Sequence, residues 1–123
     1  MKWLIFALGG LLGTVARYYF SSGIQHLFGS LFPYGTLLVN LAGTFLAGFI
    51  YTLSEEKSLL SPVHRGFWLI GFCAAFTTYS NFILETANLV WTAHPYYALE
   101  NVVITLLGGI IVFFGGKALA HLF

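Results

Sequence analysis

The stretch Thr36-Leu-Leu-Val-Asn40-Leu-Ala-Gly43 places a neutral amide in the middle of a long apolar run. The chain has no Lys, Arg, Asp or Glu between Arg17 and Glu55. An amide in hydrocarbon is costly unless its hydrogen-bonding groups find partners, so a polar residue at this depth is a functional candidate. The run therefore predicts a membrane-spanning helix that carries a polar position. Together with the interruption Thr77-Thr78-Tyr79-Ser80 in the next apolar segment, it points to an ion pathway.

The composition supports a membrane protein. Of 123 residues, 59% are hydrophobic and only 7% are charged, whereas a soluble domain has roughly 25% charged residues. Each of the four apolar segments reaches the ~20 residues that a membrane-spanning helix needs, and they run from Trp3 to Phe28, Pro33 to Leu53, Pro62 to Trp91 and Pro95 to Phe123. The fold class predicted is all-α and integral to the membrane, with residues 1–123 forming a single four-helix transmembrane domain.

Three prolines mark helix starts, because a proline is tolerated in the first helical turn. They are Pro33, Pro62 (after the N-cap candidate Ser61) and Pro95. Pairs of small residues one helical turn apart predict close helix packing, and these pairs are Gly9 with Gly13, Gly43 with Ala47, and Thr44 with Gly48. Four short helices enclose little space, so we expect a dimer or a larger assembly.

The distribution of positive charge predicts the orientation. With four spans, both termini and the second loop lie on one side, and this side holds Lys2, Lys57, Arg65 and Lys117. The other side has no Lys or Arg outside the helices. The positive-inside rule therefore predicts cytoplasmic termini, in a multi-pass protein of the cell membrane.

Polar side chains of the first two helices have two interpretations. Arg17, in the second half of the first helix, either reaches the head groups or caps a neighbouring helix end, or it attracts anions at the vestibule of a pore. Thr36 and Asn40 share a face of the second helix, where uncharged donors suit weak binding of an anion. For an isolated Asn, an interhelical hydrogen bond is the alternative.

In the third segment, Thr77-Thr78-Tyr79-Ser80 predicts a local break, because consecutive hydroxyl and β-branched residues are poor in a helix interior. Carbonyls freed at a break can coordinate a cation where protein encloses them. Tyr79 and Phe82 share a face, and aromatic ring edges can meet an anion. Simple aromatic packing is the alternative interpretation.

The fourth segment carries a polar stripe of Tyr97, Asn101 and Thr105 at one-turn steps. Glu85 is the one carboxylate well inside an apolar segment, and it is expected to hydrogen-bond, to pair with Arg17 or to act in proton linkage. Nothing resembles a nucleophile with its base or a metal-ligand cluster, so enzymatic function is not expected. A net charge of +1 argues against a nucleic-acid partner.

Three motifs in order make the chain similar to the CrcB/Fluc family of fluoride channels, and the resemblance spans nearly its whole length. The motifs are Gly9-Gly10-x-x-Gly13-x-x-x-Arg17-Tyr18, Gly35-Thr36-Leu37-x-Val39-Asn40-x-x-Gly43 and Gly71-Phe72-Cys73-x-x-x-Thr77-Thr78-x-Ser80-x-Phe82. Ala74-Ala75 stands where the family usually has two glycines, and Tyr79 stands where it usually has Phe.

The resemblance implies an antiparallel dimer with two fluoride pores, which exports cytoplasmic fluoride passively, and with a structural Na⁺ at its centre. It implies fluoride contacts at Asn40, Tyr79 and Phe82, and a polar track of Tyr97, Asn101 and Thr105 with Thr36. Sodium ligands would be the backbone carbonyls of Ala74 and Thr77. Because the charge bias favours one orientation, the partner is either a second copy or a paired homologue of opposite orientation.

Two other functions compete with this interpretation. A small four-helix multidrug or cation exporter would need a carboxylate in its first helix, and none is present there. A non-conducting membrane scaffold would leave the polar stripe of the fourth helix unexplained.

Overall fold

The computed structural model describes all residues 1–123, and they form helices joined by short loops. Helix α1 is Lys2–Phe28, α2 is Tyr34–Glu56, α4 is Tyr79–Trp91 and α5 is Pro95–Ala120. Helix α3 occupies residues 62–76 as three consecutive helical pieces, Pro62–Arg65, Gly66–Cys73 and Ala74–Phe76. The four predicted spans are confirmed, since four helical stretches are long and apolar enough to cross a membrane.

The helix ends follow local chemistry. Ser61 is the N-cap predicted for the third span, and its hydroxyl accepts from the His64 N–H at 3.4 Å. Pro62 and Pro95 occupy the first helical turn, whereas Pro33 is the N-cap of α2, one residue before the helix begins. Gly29 ends α1 with φ 103°, a backbone conformation that side chains with a Cβ rarely adopt.

The second loop is shorter than predicted, because α2 continues through Glu56 with a wide, π-helical last turn over Thr52–Glu56. The Thr52 and Ser54 hydroxyls donate to the backbone carbonyls of Gly48 and Ile50, one turn earlier. Glu56 forms ion pairs with Lys117 and His121 at the end of α5. These contacts with another helix hold the extra turn in place.

Helix α2 is the centre of the bundle and packs against α1, α3 and α5. A Cβ on Gly48 would lie 2.2 Å from the Phe113 carbonyl oxygen, and one on Gly116 would lie 2.1 Å from that of Phe45. The predicted close packing is confirmed here and between α1 and α3, where Gly9 and Gly13 leave the same kind of space.

Candidate functional site

The third span leaves helical geometry at Thr77 and Thr78. Their dihedral angles are extended, with φ −81° and ψ 159° for Thr77 and φ −149° and ψ 111° for Thr78. The Thr78 hydroxyl then caps α4 by accepting from the Asn81 N–H at 3.2 Å. The chain therefore crosses the bundle as two helices, α3 and α4, with two extended residues between them.

Asn40 holds this extended segment in place. Its Oδ1 accepts from the Thr78 N–H at 2.7 Å, and its Nδ2 donates to the Thr78 carbonyl at 3.2 Å. An amide in a membrane interior thus gives a neighbouring backbone the partners that the helix ladder no longer supplies. The interhelical hydrogen bond considered for Asn40 is confirmed, and one of its two Nδ2 hydrogens is not used in it.

The hydrogen bonds around Thr78 leave two backbone carbonyls without the N–H donors that a continuous helix would give them. In a continuous α-helix the Thr78 N–H would donate to Ala74 and the Asn81 N–H to Thr77. Here they donate to Asn40 and to the Thr78 hydroxyl. The Ala74 and Thr77 carbonyl oxygens are hard ligands that fit a cation such as Na⁺.

A groove of about 470 Å³ opens beside the break. Tyr79 and Phe82 form one wall, with ring centroids 6.2 Å apart and planes inclined by 53°. Phe82 is 5% exposed, whereas Tyr79 is 77% exposed. The polar residues that line the groove are Asn40, Thr44, Thr77, Thr78 and Thr105, and its apolar wall comes from α5.

The three residues of the polar stripe predicted on α5 lie in different environments. Thr105 lines the groove, while Asn101 lies behind it at 1% exposure. Asn101 Nδ2 donates to the Thr86 hydroxyl at 2.9 Å, and Asn101 Oδ1 accepts from Thr105 at 3.4 Å. Tyr97 lies away from the groove and stacks on His94 with the ring planes 21° apart.

Thr36 and Glu85 form a second polar centre outside the groove. Thr36 Oγ1 donates to Glu85 Oε1 at 2.8 Å, and Glu85 Oε2 is buried without a hydrogen-bond partner. The pairing of Glu85 with Arg17, one of the expected alternatives, is absent, since the ion pairs of the chain involve Arg65, Lys117 and His121. The cavity beside Glu85 has no hydrophobic lining residue and is bordered by Ser21, Ser22, Gln25, His26, Ser30, Gly35, Thr36 and Glu85.

Sequence reasoning missed Thr44 in the groove, Thr86 behind it and Gln25 beside Glu85. Thr44 follows Asn40 by one helical turn, and Thr86 follows Phe82 by one turn, so the helical period could have found both. Gln25 had no such signal. It donates to the carbonyls of Gly29 and Phe32 and accepts from the Gly35 N–H at 3.0 Å, which holds the loop between α1 and α2.

These features define a small integral membrane protein with four spans, whose second span pins a break in the third beside a polar and aromatic groove. The chain belongs to the family described as "CrcB-like protein, Camphor Resistance (CrcB)", whose pattern matches residues 4–117.

Curated relatives match most of the chain. The fluoride-specific ion channel FluC of Desulforapulum autotrophicum is 42% identical over 118 residues, which cover 90% of this chain and 94% of the relative. The protein of the same name from Chlorobium phaeobacteroides is 39% identical over 119 residues, covering 97% and 92%. That of Saccharophagus degradans is 45% identical over 102 residues, covering 82% and 75%.

Proposed function

We propose that this chain is a subunit of a fluoride-specific channel that lets cytoplasmic fluoride leave the cell passively and so lowers its toxicity. The observation that carries the proposal is the groove in which Asn40, Tyr79, Phe82 and Thr105 meet beside the broken helix. The names of the relatives support it, and because they are ion channels they agree with the expectation of no enzymatic activity.

The groove has the chemistry that passage of a small anion requires. Asn40 keeps an N–H that is not used in holding Thr78, and Thr44 adds a hydroxyl, while the Thr105 hydroxyl beside them donates to Asn101 Oδ1. The edges of the two rings add positive electrostatic potential without a full charge. Uncharged donors bind an anion weakly enough to release it, which conduction needs. Tyr97 and Thr36 would contact the ion outside this groove, near the N-terminal ends of α5 and α2.

The subunit would act as a dimer. Tyr79, Ser80 and Asn81 are exposed beside the break, at the middle of an apolar span, and polar groups at that depth are costly against lipid. A second chain in antiparallel orientation would cover them, as either a second copy or a paired homologue. The carbonyls of Ala74 and Thr77 from both subunits would then hold Na⁺ at the dimer centre. Arg17 would act as the vestibule charge.

The orientation proposed has both termini in the cytoplasm. Lys57, Arg65 and Lys117 lie at one end of the bundle, where Arg65 pairs with Glu55 and Lys57 donates to the His121 carbonyl. This clustering supports the positive-inside assignment. The exporter alternative lacks its carboxylate on α1, and Glu85 on α4 is already bonded to Thr36.

The test is fluoride efflux from liposomes that contain the purified chain, with chloride as the control ion. Fluoride-selective efflux from the chain alone is expected for a homodimer, and efflux only with a homologue of opposite charge bias is expected for a heterodimer. Folded protein that releases no fluoride in either arrangement would contradict the channel.

A matched pair of variants ties efflux to the groove. Asn40→Asp keeps an acceptor for the Thr78 N–H but adds a negative charge to the groove, so we expect it to abolish efflux. Ser58→Asp adds the same charge at an exposed residue after α2, outside the groove and outside both cavities that Glu85 borders, and is expected to conduct. Exchange of sodium for a large organic cation tests the Na⁺ proposal, which predicts loss of both the dimer and the efflux.

A further inference from the structure

The hydrogen bond between Thr36 and Glu85 uses the one proton that a threonine side chain can donate. Thr36 is buried, and its Oγ1 lies 2.8 Å from Glu85 Oε1. A hydroxyl has a single O–H donor and otherwise only lone pairs. While Thr36 donates to an ionised Glu85, it therefore presents lone pairs to its surroundings, and lone pairs repel an anion.

A proton on Glu85 reverses this arrangement. A protonated carboxyl group has its own O–H donor, which can donate to Thr36 Oγ1 across the same 2.8 Å contact. The Thr36 O–H is then released and can turn toward an anion. The second oxygen, Oε2, is buried and has no partner in the chain, so no other donor competes with a proton for the negative charge of the carboxylate.

The surroundings of Glu85 give a proton a route from water. Ser21, Ser22 and Ser30 line the adjoining cavity and make no side-chain hydrogen bond within the chain. The other titratable groups that face the two cavities bordered by Glu85 are His26, from α1, and His94, at the start of α5. No Lys, Arg or Asp borders either cavity, so no fixed cation holds Glu85 in its ionised form.

We propose that Glu85 is a proton-controlled positioning residue for Thr36: protonated Glu85 releases the Thr36 hydroxyl to bind fluoride, and ionised Glu85 withholds it. The inference rests on the proposed fluoride channel and adds its regulation. The proton comes from water and returns to water, with no covalent change. Because only the protonated form frees the donor, fluoride binding at Thr36 and proton binding at Glu85 favour each other.

The first experiment is fluoride efflux as a function of pH for the wild type, Glu85→Gln and Glu100→Gln. Wild-type efflux should fall about tenfold as the pH rises through the titration of Glu85, the scale of one hydrogen bond to a charged group. Glu85→Gln, whose amide can donate to Thr36 at every pH, should keep the rate of the protonated form throughout. Glu100→Gln makes the same change at an exposed glutamate of α5 and should keep the wild-type profile.

Protein-free liposomes measure the leak of hydrogen fluoride at acidic pH, which is subtracted. Thr36→Val, which lacks the hydroxyl, should lower efflux and remove its pH dependence. Thr36→Ser, which keeps the hydroxyl, should retain both the efflux and its pH dependence. Efflux of the wild type that does not change with pH, or that changes equally in Glu85→Gln, would overturn the inference and leave the proposed channel intact.

A second measurement does not need conduction. Infrared difference spectra of the purified protein, before and after fluoride addition, detect the carbonyl band of a protonated carboxyl group. We expect fluoride to increase this band in the wild type and in Glu100→Gln, but not in Glu85→Gln. If the band increases while liposomes show no efflux, the proposed conduction fails and the coupling stands. If the band does not change, the coupling is wrong.

Discussion

Replacing Asn40 by Ala removes the two hydrogen bonds that hold Thr78 in its extended conformation. Thr78 is 6% exposed, so water cannot replace the lost partners without rearrangement. Side-chain hydrogen bonds in membrane proteins contribute about 0.6 kcal/mol on average and up to about 1.7 kcal/mol. Loss of both therefore costs about 1–3 kcal/mol, and the population of the native break falls about 5- to 150-fold relative to its alternatives.

The assay is amide hydrogen exchange at Thr78, measured with thermal unfolding and fluoride efflux on the same preparation. In Asn40→Ala the Thr78 amide should exchange faster by the same factor, the melting temperature should fall, and efflux should be lost. The control is Asn88→Ala, which removes an exposed amide that makes no side-chain hydrogen bond in the chain. Wild-type exchange at Thr78 in Asn40→Ala would refute the assignment of Asn40 as the residue that holds the break.

Three further substitutions test other parts of the structure. Gly48→Ala puts a Cβ 2.2 Å from a backbone oxygen of α5 and should lower the melting temperature, whereas Gly23→Ala, with nothing within 4 Å, should not; equal melting temperatures would contradict the close crossing. Thr86→Val leaves the buried Asn101 amide without its acceptor and should cost about 1–2 kcal/mol in thermal unfolding, and an unchanged unfolding transition would count against this role. Tyr79→Phe removes an exposed hydroxyl from the groove wall and should raise fluoride efflux without changing stability, since one donor that retains the ion is lost; a lower rate would show that the hydroxyl assists passage.

The helical periodicity of the sequence predicted some of the groove but not its limits. Of the residues assigned to an ion pathway, Asn40, Thr105 and the aromatic pair line this one groove. Tyr97 and Asn101 lie on the same helical face as Thr105, yet Tyr97 stacks on His94 and Asn101 is enclosed between α4 and α5. A helical face shows which residues point the same way, and it does not show what the neighbouring helices place in front of them.

The sequence also left the partner of Glu85 open. It predicted a pairing with Arg17, a hydrogen bond or a role in proton linkage, because a carboxylate in an apolar segment needs some partner. The partner is Thr36, 49 positions earlier in the chain. Distances between helices depend on how closely their backbones approach, and glycines allow close approaches, as between α2 and α1 at Gly35, where a Cβ would lie 2.2 Å from the Ser21 carbonyl oxygen.

The sequence by itself determined the four spans, since length and hydropathy alone decide whether a helix can cross a bilayer. It also marked the hydroxyl-rich stretch at Thr77 and Thr78 as a weak point of the third helix. Only the tertiary structure decided that Asn40 lies opposite Thr78 and that Thr36 gives its proton to Glu85. The physical reason is that burial in lipid is a property of each segment, whereas a hydrogen bond between helices requires two atoms from distant parts of the chain to lie within about 3 Å.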